Sequence, residues 1–151
     1  MDKYSDFRIV DSRDEGVKYL TQDGLKIYVM KIIPTEQYHN KEIEILKKLN
    51  ELVDFVPRVI DEFEITCDEL VTWGVLIPYF GSNRCKIMIY EYIDGQDLYD
   101  FTEDNILTTR EINDIAFQMM KIVYKIHILG IFHRDIKLEN FVISPEGKVY
   151  L

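Results

Sequence analysis

Residues 133–140 read HRDIKLEN and place a carboxylate, an ammonium group and a carboxamide on one short segment. Asp135 carries a carboxylate that could accept the proton of an attacking hydroxyl group. Lys137 places a positive charge two residues later, and Asn140 offers a carboxamide oxygen of the kind that binds a magnesium ion. This mixture suits phosphoryl transfer from ATP, in which the protein contributes mostly positioning and stabilisation of charge.

The residues on both sides predict a helix, a loop and two short strands around this segment. Thr108 and Glu111 have the spacing of a capping box, and Gly130 is a typical helix stop. After the segment, 141–143 is a short β-rich run, and a turn at 144–147 precedes a second strand. Apolar residues at helical spacing predict one buried helix face, formed by Ile112, Ile115, Ala116, Met119, Ile122, Val123 and Ile126.

The run His-Arg-Asp-x-Lys-x-x-Asn resembles the catalytic loop of eukaryotic-type protein kinases. The lysine two residues after the aspartate resembles the pattern of the serine/threonine branch of this family. The resemblance implies that Asp135 and Lys137 are catalytic and that Asn140 is a magnesium ligand. It also implies an α+β fold, with a small β-rich N-lobe holding one αC helix, followed by the first part of a mainly helical C-lobe.

A second group of candidate functional residues includes a lysine inside an apolar strand. Residues 26–33 read KIYVMKII, and a lysine at position 31 is costly to bury without an anionic partner. The strand resembles the third strand of kinases, which implies that Lys31 holds the α- and β-phosphates of ATP. Residues 41–49 resemble the αC helix, which implies that Glu42 pairs with Lys31. Glu44, on another face of that helix, is the competing partner, and in a third interpretation both glutamates are solvated beside i,i+4 lysines.

Residues 87–98 form an apolar strand that ends in a glycine turn and resembles the kinase hinge. The resemblance implies that main-chain groups of Glu91 and Ile93 meet the adenine edge, with Tyr90 as gatekeeper. The alternative interpretation of residues 87–98 is a plain edge strand followed by a turn. The remaining nucleotide contacts that the resemblance implies are Asp97 near the ribose hydroxyls, and Val29 and Val142 on the two faces of the adenine ring.

The loop expected to cover the phosphates departs from the kinase pattern. Kinases usually show three glycines here, whereas residues 11–19 read DSRDEGVKY and retain only Gly16. Three acidic residues in the same stretch would add negative charge near a polyphosphate. This departure favours weaker ATP binding.

The interval between the αC-like helix and the hinge is long. Residues 50–86 predict one regular strand and an insertion, with 70–80 extended. Its aromatic residues Trp73, Tyr79 and Phe80 belong either to the core or to an exposed docking patch, and such runs favour the core. By the resemblance, 1–90 is the N-lobe with this insertion, and 91–151 is the hinge, the start of the C-lobe and the catalytic loop.

The last residue, Leu151, precedes the point at which kinases place Asp-Phe-Gly, whose aspartate holds the catalytic magnesium. The resemblance therefore implies an incomplete catalytic domain that is inactive by itself. A protein kinase domain is expected to need about 250 residues by the same resemblance, and lengths of this order are ordinary for one folded domain.

Composition restricts the partners. The net charge of −9 argues against nucleic acid and favours basic protein substrates, and no run of eighteen apolar residues predicts a membrane span. Cys67 and Cys85 lack metal-ligand spacing and are expected to stay free in a reducing, intracellular and cytoplasmic setting. A single alanine among many Ile, Lys, Asn and Tyr residues suits an AT-rich coding sequence, as in a large DNA virus or a protist.

Three functions fit these observations. The first is a serine/threonine protein kinase that binds ATP and Mg²⁺ between its lobes. The second is a pseudokinase or truncated kinase that acts as a binding module, favoured by the poor glycine loop. The third is a small-molecule kinase of similar fold, which Arg134 and Lys137 disfavour.

Overall fold

A computed structural model describes residues 4–13, 16–34, 41–75 and 83–151, with the side chains of 10–13, 16–18, 34, 41 and 42 outside the description. The chain divides into two compact units. The first contains Met1–Lys48 and Arg58–Tyr92, and the second contains Leu49–Pro57 and Ile93–Leu151. Residues 49–57 thus belong with the second unit. Within the described ranges, no helix is both long and apolar enough to cross a membrane.

The first unit is built on a five-stranded antiparallel sheet with the strand order β1-β2-β3-β5-β4. Its strands are β1 Ser5–Arg13, β2 Gly16–Asp23, β3 Lys26–Pro34, β4 Val59–Thr66 and β5 Arg84–Glu91, and its helices are α1 Lys41–Leu52 and α2 Cys67–Thr72. Helix α1 continues into the second unit at Leu49.

The two faces of the sheet carry separate apolar clusters, because successive side chains of a strand point to opposite sides. Met30 and Ile32 of β3 lie in the cluster that also contains Leu70 of α2. Ile33 lies in the other cluster, where Ile43 of α1 is buried. Lys31 alternates with Met30 and Ile32, so it is on the face covered by α1.

Helix α2 replaces the beginning of the stretch that was expected to be extended at 70–80, so that expectation was wrong for its first residues. Thr66 accepts a hydrogen bond from the Glu69 amide at 3.3 Å, and the Glu69 carboxylate accepts one from the Thr66 amide at 3.1 Å. This capping box satisfies orphan amides of the first turn, and the fully buried Leu70 holds the helix on the sheet.

The aromatic residues of the insertion were expected in the core, and Trp73 is partly buried against the core cluster that contains Leu70. Its ring stacks on Phe7 with centroids 5.8 Å apart and meets Phe63 edge-on at 6.4 Å. The indole therefore joins β1 to β4 rather than forming an exposed patch. Tyr79 and Phe80 lie outside the described residues.

The second unit combines two helices with a small antiparallel sheet of order β6-β7-β8. Its elements are β6 Gln96–Asp97, α3 Leu98–Asp104, α4 Thr109–Ile128, a single 3₁₀ turn Leu138–Asn140, β7 Val142–Ile143 and β8 Val149–Tyr150. Segment 49–57 joins this unit through the Leu151 amide, which donates to the Phe55 carbonyl at 2.9 Å, and through Lys148, 3.3 Å from the Asp54 carboxylate.

Helix α4 begins and ends where the sequence predicts. Thr108 and Glu111 form the capping box, and the Gly130 amide donates to the His127 carbonyl at 2.9 Å with a positive φ of 73°. The prediction that its whole apolar face is buried was wrong. Ile122 and Ile126 are buried, whereas Ile112 is 52% exposed.

The reason lies in which elements contact α4. Strand β8 packs on the middle of the helix, where Gln118 accepts a hydrogen bond from the Val149 amide at 3.0 Å and donates to the Gly147 carbonyl at 2.9 Å. Toward its N-terminus, the helix lines an open groove with Leu107 and Leu138. The apolar period therefore predicted the helix but not its partners.

Substituting Glu111 by Gln is expected to lower the midpoint of thermal unfolding by about 2–4 °C near neutral pH. Hydrogen bonds from the Thr108 side chain and amide lower the pKa of Glu111 from its ordinary value of 4.5. The stabilisation is therefore complete above that value and is lost as the pH falls through the lower folded value. Thermal unfolding at about pH 7 and about pH 3 should show a wild-type advantage that is larger at the higher pH.

The matched control is Glu103→Gln on the exposed surface of α3, which should leave the midpoint unchanged at both pH values. A loss in the Glu111→Gln variant that is the same at both pH values would contradict the role of the ionised carboxylate.

Candidate active site

The predicted catalytic loop brings Asp135, Lys137 and Asn140 together. The Nδ2 group of Asn140 donates to the Asp135 carbonyl oxygen at 2.7 Å and to its Oδ2 at 2.9 Å. The Nζ of Lys137 lies 3.1 Å from the same Oδ2. One carboxylate oxygen is thus held from two sides, which sets the direction of the Asp135 side chain.

These contacts also determine the charge of Asp135. The hydrogen bonds from Asn140 and from Lys137, with the nearby positive charge of Lys137, lower the pKa of the carboxyl group from its ordinary value of 3.8. Asp135 is therefore a carboxylate at neutral pH. Its side chain is 61% exposed, so a group in solution can reach it.

The backbone of the loop is strained next to this carboxylate. Arg134 has a φ of 67°, in the left-handed region that residues with a side chain rarely adopt. The 3₁₀ turn follows, where the Asn140 amide donates to the Lys137 carbonyl at 3.1 Å. Such strain clusters at active sites. The sequence carries no signal for it, because Arg134 is not a residue type that favours positive φ.

Asn140 fits the role of a magnesium ligand. Both side-chain hydrogen bonds described above are donated by its Nδ2, so the carboxamide oxygen is the atom that a cation would bind. Mg²⁺ typically takes one or two protein oxygens and completes its shell with water and phosphate oxygens. Among the described residues, no three His, Cys, Asp or Glu side chains are clustered in a way that could hold a metal ion.

Two of the predicted nucleotide contacts are neighbours in the second unit. Asp97 of β6 lies opposite Val142 of β7 in the antiparallel register. Asp97 also caps α3, since its Oδ1 accepts a hydrogen bond from the Asp100 amide at 2.9 Å. This capping role was not predicted, and the contact of Asp97 with a ribose stays a prediction.

Gly95 permits this close approach of β6 and β7. A Cβ atom built on Gly95 would collide with the Ile143 carbonyl oxygen and lie 2.8 Å from Val142 Cγ1. Real Cβ atoms essentially never approach so closely, and here the obstacle is backbone. Glycine is therefore required at this position, whereas the sequence alone indicated only a turn.

Replacing Gly95 by Ala is expected to lower the free energy of unfolding by about 1–3 kcal/mol, because the new methyl group must displace β7. Urea denaturation followed by far-UV circular dichroism measures this change. The control is Asp94→Ala at the exposed neighbouring position, which should remain within about 0.5 kcal/mol of wild type. Equal stability of the Gly95 variant and wild type would contradict the tight contact.

In the first unit, Lys31 is only 7% exposed. It lies on the sheet face covered by α1, beside Val29 and Ile33 of the same strand. Glu42 belongs to α1, but its side chain lies outside the description, so its pairing with Lys31 stays a prediction. The competing candidate Glu44 is exposed, which disfavours it as the partner of a buried lysine.

The predicted hinge follows β5. Tyr90 pairs in register with Val29 and is 9% exposed, with its hydroxyl donating to the Met88 sulfur at 3.4 Å. The Glu91 amide donates to the Arg58 carbonyl at 2.8 Å, so the main-chain group that Glu91 offers to an adenine is its carbonyl. The Glu91 side chain accepts from the Arg58 amide at 3.3 Å, which further holds the strand end.

Ile93 and Gly16 are the remaining predicted contacts. Ile93 is half-buried at the start of the second unit's main segment. Gly16 begins β2, opposite Arg13 of β1. Residues 14 and 15 and the side chains around them lie outside the description. The contribution of this loop to phosphate binding therefore stays a prediction.

Comparison with known proteins agrees with the fold. The model of the protein kinase domain family matches residues 15–151. Serine/threonine-protein kinase F of Synechocystis sp. is 32% identical over 74% of this chain and 21% of its own length. Ribosomal protein S6 kinase 2 alpha of Gallus gallus is 29% identical over 93% of this chain and 19% of its own length.

A third relative is MAP kinase-activated protein kinase mak-1 of Caenorhabditis elegans, 28% identical over 80% of this chain. The chain spans about a fifth of the length of these curated relatives, the matched part being 21% of the mak-1 protein. The expected resemblance and the α+β fold are both confirmed. With its five-stranded sheet, its helices and its His-Arg-Asp loop, the chain belongs to the protein kinase domain family.

Proposed function

We propose that the protein is a serine/threonine protein kinase that transfers the γ-phosphate of ATP to a protein hydroxyl group. The observation that carries this proposal is the convergence of Lys137 and Asn140 on one oxygen of Asp135, at 3.1 and 2.9 Å. A loop with only a structural role has little need for an exposed carboxylate held by a cation and a carboxamide.

Each residue of the loop has a separate task. Asp135 accepts a hydrogen bond from the substrate hydroxyl and takes its proton as the new P–O bond forms. Lys137 stabilises the negative charge of the phosphoryl group in transfer, and it can reach that group because it lies beside Asp135. Asn140 contributes its carboxamide oxygen to Mg²⁺, which when bound neutralises charge on the phosphates.

The first unit supplies nucleotide contacts in this proposal. Lys31 binds the α- and β-phosphates, and Glu42 holds Lys31 in place. A buried lysine needs an anionic environment, which the phosphates and a glutamate both provide. The other proposed contacts with ATP are made by Gly16, Val29, Glu91, Ile93, Asp97 and Val142.

The substrate we propose is a protein with a serine or threonine in a basic context. A net charge of −9 at neutral pH attracts cationic segments over long distances. The absence of a disulfide between Cys67 and Cys85 supports an intracellular location.

The test is transfer of labelled phosphate from γ-labelled ATP by the full-length protein to a mixture of basic Ser-, Thr- and Tyr-containing peptides. Label on serine or threonine, dependent on Mg²⁺, is the expected result. Label confined to tyrosine would contradict the assigned branch. An absence of transfer to any hydroxyl would contradict the proposed activity.

The second candidate is a catalytically inactive kinase domain that acts as a binding module. The observation that favours it is the stretch 11–19, which has a single glycine and three acidic residues where backbone amides usually meet phosphates. Nucleotide-induced thermal stabilisation does not separate the two candidates, because a module can bind ATP without using it. The transfer assay does.

A further inference from the structure

The two cysteines of the chain are 18 residues apart in sequence but adjacent in the first unit. Their Sγ atoms lie 3.3 Å apart, about 1.2 Å more than a disulfide bond length. Cys67 is the first residue of α2, and Cys85 is the second residue of β5. Neither cysteine is part of a disulfide in the structure.

The fold brings these side chains together through the pairing of β4 and β5. Ile65 lies opposite Cys85 in the antiparallel register, and Cys67 is two residues beyond Ile65. The chain keeps this register as it turns into α2, since the Cys67 amide donates to the Asn83 carbonyl at 3.0 Å. Side chains two residues apart on a strand point to the same face, so both thiols face the same cluster.

The two thiols differ in how reagents can reach them. Cys85 is completely buried among apolar residues that include Leu70 and Ile87. Cys67 is only partly buried at the edge of that cluster. A small oxidant therefore meets Cys67 first, and Cys85 can react only through Cys67.

We infer that Cys67 and Cys85 form a reversible disulfide, a modification site that ties the first turn of α2 to β5. The oxidant class is a low-molecular-weight disulfide such as oxidised glutathione. The Cys67 thiolate attacks one sulfur of the oxidant, forms a mixed disulfide and releases one thiol. The Cys85 sulfur then attacks Cys67 Sγ and its proton passes to the departing sulfur, so that the mixed disulfide breaks and the second thiol leaves.

The overall reaction is balanced. The two cysteines lose two protons and two electrons, and the oxidant gains them and becomes two thiols. A reducing thiol present in excess reverses both steps. Burial, together with the contact with Cys67, raises the pKa of Cys85 to about 12. Cys85 is therefore a neutral thiol at physiological pH, and the second step, in which its sulfur must lose a proton to attack, is the slower one.

The bond would join parts of the unit that the chain connects only through a long insertion. Closing a loop of this length restricts the unfolded chain more than the folded one. Oxidation is therefore expected to raise the midpoint of thermal unfolding by about 5 °C or more. It should also restrain α2 against β5, the strand that ends at the predicted hinge.

The experiment treats the folded, full-length protein with oxidised glutathione, blocks the remaining thiols and digests with trypsin without reduction. Cleavage after Arg58, Arg84 and Lys86 separates the two cysteines into peptides 59–84 and 85–86. The expected product is these two peptides joined, with the loss of two hydrogen atoms. Dithiothreitol should restore the separate peptides and the original unfolding midpoint.

Two variants make the result specific. Cys85→Ala should carry a stable glutathione adduct on Cys67, since no second thiol can displace it. Cys67→Ser should gain neither adduct nor crosslink, and it tests the inference even if the buried Cys85 site does not tolerate alanine. A wild-type protein that keeps the adduct on Cys67 without a crosslink, or that does not react while folded, would overturn the inference.

Discussion

Asp135→Asn is expected to lower phosphoryl transfer by about 100-fold or more while ATP affinity stays within about twofold of wild type. The carboxamide has nearly the same shape, but it cannot accept the proton of the substrate hydroxyl. It also loses the charge that holds Lys137 at 3.1 Å. Initial rates with labelled ATP and nucleotide titration by calorimetry measure the two quantities on the full-length protein.

The control is Glu139→Gln, which removes a carboxylate from the same loop at an exposed position and should leave the rate within about twofold. Circular dichroism of both variants shows whether the loop change disturbs folding. Transfer at the wild-type rate by the Asp135 variant would exclude Asp135 as the proton acceptor. A parallel loss of ATP affinity would indicate that it acts in binding instead.

The pH profile gives a further test of the same carboxylate. The pKa of Asp135 lies below its ordinary value of 3.8 because Asn140 and Lys137 hydrogen-bond to the ionised form. Asp135 therefore stays ionised down to that value, and it loses its charge only as the pH falls through the lower folded pKa. An acidic limb of kcat/KM at higher pH must then come from another group, since kcat/KM reports the pKa values of the free enzyme.

Lys31→Met is expected to weaken ATP binding by about tenfold or more, since a hydrogen bond between charged groups is worth about 1.5–3 kcal/mol. The methionine side chain is similar in length and suits a position that is only 7% exposed. Removing one partner of a buried charge pair leaves the other charge uncompensated, so the variant is expected to unfold at a lower temperature than wild type. Binding is therefore measured below that temperature, where the variant is folded and a loss of binding reports on the phosphates.

The matched control is Lys26→Met at the exposed first position of the same strand. It removes an identical charge and should leave ATP affinity unchanged. Calorimetric titration with ATP and Mg²⁺, together with thermal unfolding in the absence of nucleotide, separates binding from stability. Unchanged ATP affinity in the Lys31 variant would show that the lysine has only a structural role.

Local patterns predicted much of the fold. The capping box at Thr108 and Glu111, the stop at Gly130 and the apolar strand around Lys31 depend on neighbours a few residues away, and all three are present in the structure. The burial of the apolar face of α4 was predicted incorrectly, because it depends on contacts with distant segments. A helical period shows that a face is apolar, but not which elements cover it.

In the candidate site, too, features set by nearby residues were predictable and features set by distant contacts were not. The spacing of Asp135, Lys137 and Asn140 placed them on one loop, since eight residues leave little freedom. The strained φ of Arg134 has no signature in residue type, because the surrounding loop imposes it. The requirement for glycine at position 95 comes from Ile143, which lies 48 positions further along the chain.

The sequence by itself determined the kinase family, the α+β architecture and the chemical groups of the catalytic loop, since these depend on residue types at short spacing. Only the tertiary structure decided which atoms of Asp135 the lysine and the asparagine contact. It alone also decided that Lys31 is buried on the sheet face that α1 covers, and that Cys67 contacts Cys85. Contacts of this kind depend on strand register and packing between distant segments, which residue spacing along the chain does not encode locally.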